Sequence, residues 1–178
     1  MGTVWDSLRR RATPKAWNVS LWHSFHIPAC SFISWLAFRK RLLTKERMRD
    51  LFMNVDQKCV LCNCNDEDTE HLFLGCPYSY LLLRECPFSV VFNWNSWMRG
   101  IFFHDNLTQF EKDIGFLYIN VVIYLVWRER NDRLHNQGTM RVGHLGQKIK
   151  RMVREKLFSC TAFKRRIQRD PTISHLLY

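Results

Sequence analysis

The chain has 178 residues, 47% of them hydrophobic and 14% aromatic, and a formal charge of +11. That length suits one domain of ordinary size, or one with a small satellite, and the aromatic content excludes a disordered polycation. Residues 1–58 hold 11 Lys/Arg against 4 Asp/Glu, residues 59–76 none against 4, residues 77–127 3 against 4, and residues 128–178 13 against 4. The net charges are therefore +7, −4, −1 and +9 along the chain. A basic excess at both ends points to a polyanionic partner such as nucleic acid, with a solubilising surface as the plainer alternative.

Met1 to Arg11 contains no apolar core of signal-peptide length, and Asp6 stands where a myristoylation signal needs Ser or Thr. The expectation is an intracellular protein, in the nucleus rather than the cytoplasm and not secreted, whose seven cysteines are reduced thiols. Clustered reduced thiols suggest a metal.

In chain order, Trp22, Phe25 and Ile27 alternate loosely up to Pro28, which predicts an irregular approach. Phe32, Trp35, Leu36 and Leu43 then recur at helical offsets and predict an inward stripe. Thr44 can cap a short helix over 45–52 with Met48 and Leu51 facing inward. Pro77 can open a helix that Pro87 stops, and Asn95 or Ser96 can cap another through Trp97, Ile101 and Phe102. Thr108-Gln109-Phe110-Glu111 is a capping box. Phe110, Ile114, Leu117, Val121, Tyr124 and Leu125 follow it at helical spacing, apolar nearly all round, so this helix is central. Its uncharged run, Ile114 to Trp127, is 14 residues, too short to span a bilayer. Trp127 should continue the buried stripe, and Glu129 should pair with Arg133 four residues on.

A last helix over 142–158 aligns Leu145, Ile149, Met152, Val153 and Leu157. Lys148, Lys150, Arg151 and Arg154 fall on its broad polar side, and Lys164-Arg165-Arg166 follow in a segment with little apolar periodicity, expected to be mobile. These seven residues are the candidate nucleic-acid contacts. The fold class is mainly α: a small helical domain around the Cys/His-bearing segment 59–76, with a long central helix and a basic C-terminal helix. Its expected divisions are 4–105 for the domain that holds that segment, 106–140 for the long helix and 141–178 for the basic tail.

Cys59-Val-Leu-Cys62 is followed after eight residues by His71 and after four more by Cys76. A C-x2-C pair points two thiolates at one ion from a tight turn, and the second pair closes a tetrahedron of three sulfurs and one nitrogen. Zinc suits that CCHC set, and four protein ligands leave no open catalytic position, so one structural Zn²⁺ is expected. Cys64 could replace Cys62, although the shorter spacing closes the turn better. Cys30, Cys86 and Cys160 read as small buried hydrophobes. Between the ligand pairs lie Asp66, Glu67, Asp68 and Glu70, an acidic loop unsuited to gripping phosphate. No phosphate-binding Gly-rich loop, G-x-S-x-G, H-E-x-x-H or deaminase pattern occurs, so no catalytic residue is assigned and no enzyme is expected. Aromatics such as Trp94 and Trp97 read as exposed and open the way to a protein partner.

Leu21-Trp22-His23-Ser24-Phe25-His26-Ile27-Pro28, Ser31 to Ala37, and Arg41 to Arg47 resemble the opening of the reverse-transcriptase zinc-binding domain of LINE-type (non-LTR) retrotransposon polyproteins, abundant in plants. Cys59-Val-Leu-Cys62, Glu70-His71-Leu72-Phe73 and Cys76-Pro77-Tyr78-Ser79 match its zinc motif in order and spacing. Trp127-Arg128-Glu129-Arg130-Asn131-Asp132-Arg133 looks like the segment that follows it, so the resemblance covers about residues 4–137. It implies a non-catalytic accessory role in handling RNA or DNA, with zinc on Cys59, Cys62, His71 and Cys76. The alternatives are a zinc-stabilised protein-interaction module and a non-functional fragment of a decayed element.

Overall fold

A computed structural model describes residues 15–135 and 138–171. A 3-10 turn over Ala16–Ser20 precedes helices α1 (Pro28–Phe38) and α2 (Lys45–Asp50). A π-helical turn over His71–Gly75 runs into α3 (Pro77–Arg84), followed by α4 (Trp94–Met98), α5 (Gln109–Leu134), α6 (Val142–Ser159) and α7 (Thr161–Arg169). Among the described residues, strand pairing is limited to isolated antiparallel bridges of Lys58 with Asp66 and Val90 with Phe103. The mainly α class is the one the periodicities predict. No helix among the described residues is long and apolar enough to cross a membrane.

The central helix starts where the capping box places it. The Thr108 side chain accepts from the Glu111 amide, and the Glu111 carboxylate accepts from the Thr108 amide at 2.8 Å. From Ile114 to Val126 every residue of α5 except Tyr124 is buried, because α1, α3 and α6 pack around it. Two of its polar side chains fasten neighbours. Asn120 Nδ2 donates to Ser20 O at 2.6 Å, and Tyr118 Oη donates to Leu82 O at 2.9 Å. Each bond gives a buried polar donor the partner that burial requires. Trp127 is half-buried against the core, and Glu129 pairs with Arg133 at 2.7 Å, as the spacing predicts.

Several faces are not where hydrophobic spacing puts them. Helix α1 buries Cys30, Ser31, Ser34, Ala37 and Phe38, while Phe32 is 52% exposed. Small residues let α1 approach α5 closely, and Ser31 Oγ is satisfied by Leu21 O at 2.7 Å. Leu51 is exposed, and only Met48 of α2 turns inward with Lys45. Helix α4 is capped by Asn93, not Asn95 or Ser96. Its Trp94 and Trp97 are buried rather than exposed, packed against Phe38 and Phe102 in one aromatic cluster. Cys30 is fully buried, and Cys86 and Cys160 are half-buried.

The C-terminal basic cluster is helical, which its weak apolar periodicity does not suggest. Phe163 is fully buried, stacked on Phe110 at 5.9 Å and set edge-on to Phe25. One aromatic anchor fixes a short helix whose other faces are polar.

Gly115 tests this packing. A Cβ there would stand 2.4 Å from Phe103 Cζ and 3.0 Å from Phe88 Cδ2. Helix propensity favours Ala by about 1 kcal/mol, whereas overpacking a core costs roughly 1–3 kcal/mol. Gly115→Ala should therefore lower the midpoint of chemical unfolding. A raised midpoint would show that Phe103 can move aside.

Candidate metal centre and its clamp

The four candidate ligands, three cysteines and one histidine, are brought together by two short devices. The first is a turn over 57–67, in which the Cys59 amide donates to Asn65 O at 2.8 Å and the Glu67 amide to Gln57 O at 2.8 Å. Asn63 closes it at φ 55°, a left-handed conformation that Asn tolerates better than most residues. The second is the π-helical turn. The Cys76 amide donates to His71 O at 2.6 Å, closing a five-residue ring. An α-helical path would leave residues five apart about 140° around the axis, and the wider turn places His71 and Cys76 on one side. Asp68 supports this turn by accepting the His71 amide at 2.6 Å.

As a result, the ligand atoms of Cys59, Cys62, His71 and Cys76 all lie within 4.8 Å of one another. Cys59 Sγ is 4.0 Å from Cys76 Sγ, and Cys62 Sγ is 3.4 Å from His71 Nε2. A zinc tetrahedron with bonds of about 2.0–2.3 Å has edges of roughly 3.4–3.8 Å, so the set fits the ion nearly as it stands. Cys59 and Cys76 are buried, and Cys62 and His71 are half-buried. One sulfur is also prepared for negative charge. Cys59 is held well below the usual thiol range by the hydrogen bond from Cys76, helped by the amides of Leu61 and Cys62. The same contact with Cys59, together with burial, pushes the Cys76 thiol up, against the amides of Tyr78 and Ser79 at the start of α3. When bound there, zinc would supply structural cross-linking. Cys64 lies outside the cluster, exposed, with its thiol donating to Cys62 O at 3.1 Å.

A second set of residues, whose pairing no sequence motif announces, joins this centre to the core. Glu67 is not part of an acidic surface. It is 1% exposed, and its Oε1 accepts from Arg130 Nη2 at 2.7 Å, Arg130 Nε at 3.0 Å and the Lys45 amide at 3.1 Å. Arg130 on α5 is equally buried and lies over the Trp127 ring at 5.0 Å. One turn on, Arg133 donates to Leu61 O at 3.2 Å and sits over Tyr78 at 4.8 Å. The segment after the zinc motif thus grips the metal loop at two points. Of the loop's carboxylates, Asp66 pairs with Lys58, Asp68 caps the π turn, and Glu70 is exposed. The repulsive acidic face expected from sequence is correspondingly smaller.

The candidate nucleic-acid residues fall on α6 and α7. Arg151, Arg154, Lys164, Arg165 and Arg166 are exposed, and Lys148 is half-buried. Lys150 is drawn to Glu85 at 3.1 Å, and Arg166 lies over the Phe110 ring at 5.7 Å.

Ligands and clamp should respond differently to substitution. Cys59→Ala or His71→Ala should lose bound zinc and most of the cooperative folding of residues 55–85, and should destabilise α5 with them, since metal-binding energy is folding energy in such sites. Cys64→Ala should keep the metal, and zinc loss there with retention in Cys62→Ala would reverse the ligand set. Separately, Arg130→Met should cost roughly 3–5 kcal/mol in chemical unfolding, because it strands a buried carboxylate. The double variant Glu67→Leu/Arg130→Met should cost less than the single. A double-variant loss equal to the sum of the two single losses would mean the two side chains are not energetically coupled.

No curated protein and no solved structure matches the chain. Residues 1–82, which contain all four side chains of the cluster, match the family of zinc-binding domains in reverse transcriptase.

Proposed function

We propose that the chain is a non-catalytic, zinc-stabilised module of retrotransposon descent that binds RNA or DNA through its basic C-terminal helices. One observation carries this reading: Arg151, Arg154, Lys164 and Arg165 are exposed on the adjacent helices α6 and α7. Their opposite faces, through Leu145, Ile149, Val153 and Phe163, are fixed in the core. Cations displayed on a rigid support lose less freedom on binding phosphate than cations on a free tail. The acidic loop favours this reading more than its sequence does, because Glu67 is neutralised inside the protein. A single structural ion follows from the four-ligand set, and localisation in the nucleus accords with a nucleic-acid partner. Divisions at 4–105, 106–140 and 141–178 describe the zinc domain, the helix that carries its clamp, and the basic surface.

Deleting 141–178 would not isolate the charge, because Leu145, Ile149, Val153, Leu157 and Phe163 leave the core with it. Each buried side chain of that kind is worth about 1.5–3 kcal/mol, together comparable to the roughly 5–15 kcal/mol stability of a whole domain. The decisive variant is Arg151→Gln, Arg154→Gln, Lys164→Gln and Arg165→Gln combined, compared with the parent for single-stranded RNA and DNA binding across salt concentrations. Binding should weaken, and the log–log salt slope should fall by roughly 0.7–0.9 for each phosphate that is no longer neutralised. Unchanged affinity and slope would favour the protein-interaction module instead.

A further inference from the structure

The outward side of α1 carries an aromatic pair in which Trp35 is half-buried against the core and Phe32 is exposed. Phe32 stacks on Trp35, with centroids 5.9 Å apart and ring planes 22° from parallel. The Arg39 guanidinium lies 5.6 Å from the Trp35 ring centroid. Phe32 and Arg39 flank Trp35 in sequence, three residues before and four after, so the three share one side of the helix. Phe32 is 52% exposed, although a buried face made of Cys30, Ser31, Ser34, Ala37 and Phe38 already holds α1 in place.

The charge beside the pair is chiefly positive. Arg39, Lys40, Arg41 and Arg47 border one shallow depression, with Glu46 and Asp50 as its carboxylates, four cations against two anions. Arg47 is oriented across it by donating to Lys40 O at 3.1 Å. Cations at a helix C-terminus also complement the helix dipole. That accounts for Arg39, but not for Phe32, which extends the Trp35 ring into water instead of packing in the core. A solitary exposed Phe needs no explanation. A Phe–Trp–Arg stack opening beside four cations has the composition of a single-strand platform, in which bases stack on rings while a basic groove follows the backbone.

The geometry points to a single-strand site on α1: Phe32 and Trp35 take an unpaired base, and Arg39, Lys40, Arg41 and Arg47 take the flanking phosphates. A duplex hides its base faces, so this site selects single strands. A protein partner would prefer an apolar rim to this cationic one. The inference rests on the nucleic-acid reading above and adds a second surface and a strand preference to it.

The test compares the zinc-loaded full chain with Phe32→Leu and Phe32→Trp, using fluorescence anisotropy on an oligothymidylate and on a duplex of equal length. Phe32→Leu keeps the apolar bulk and removes the ring. It should weaken oligothymidylate binding by about tenfold and leave duplex binding within about twofold, whereas Phe32→Trp should bind as the parent does. If Phe32→Leu changes neither probe while the parent binds, the α1 site is wrong and the nucleic-acid reading survives. An equal loss on both probes would also overturn it, by making Phe32 a support of the fold. A parent chain that binds neither probe would overturn both readings and leave the aromatic pair to a protein partner.

Discussion

A carboxylate and a guanidinium, both removed from water, join the metal loop to the central helix. Glu67 and Arg130 are 63 residues apart, and each is almost completely buried. Neither could be there alone, because an unpaired charge in that position costs several kcal/mol. Their pairing therefore fixes where the loop sits on α5. It also fixes α2, since the Lys45 amide shares Glu67 Oε1 and the Glu46 amide donates to Glu67 O at 3.0 Å. The loop, the short helix and the central helix meet at one residue.

The metal centre and this clamp have separate tasks. The turn over 57–67 and the π-helical turn set the four ligands relative to one another. Arg130 and Arg133 then set the whole centre relative to the core, through Glu67 and Leu61 O. Leu72, Phe73 and Leu74, inside the π turn, complete the attachment by packing in the same hydrophobic core as α5. A zinc ion at the four ligands would thus stabilise a unit already tied to the largest helix, and not a detached finger.

Much of this is legible in the sequence, and the rest is hidden for identifiable reasons. The ligand spacing, the capping box at Thr108, the central helix and the Leu145–Leu157 stripe are local patterns, and local patterns are what a sequence displays. Glu67 and Arg130 cannot be picked out, because a buried charge has the same letter as a solvated one. Only the fold reveals the partner. Spacing alone turns the outer stripe of α1 inward, because Phe and Trp outrank Ser and Ala in hydrophobicity. Close helix packing favours the small residues instead. Trp94 and Trp97 look exposed in sequence since their partners, Phe38 and Phe102, come from outside their own short helix. The helix over Thr161–Arg169 depends on one anchor, Phe163, too little for any periodicity to show.

The surface follows from the same arrangement. With Glu67 turned inward, the negative segment of the chain presents less charge than its composition states. The same pair buries Arg130, but Arg151, Arg154, Lys164 and Arg165 on α6 and α7 and Arg39 to Arg41 at the end of α1 remain exposed. The central claim is that the metal loop and the central helix fold as one cooperative unit through the buried ion pair. Native-state amide hydrogen exchange, with zinc present and after its removal by a chelator, tests this most directly. Removing zinc should speed exchange both at Leu72–Leu74 and along Ile114–Val126 of α5. Faster exchange confined to the loop, with α5 protected as before, would contradict it.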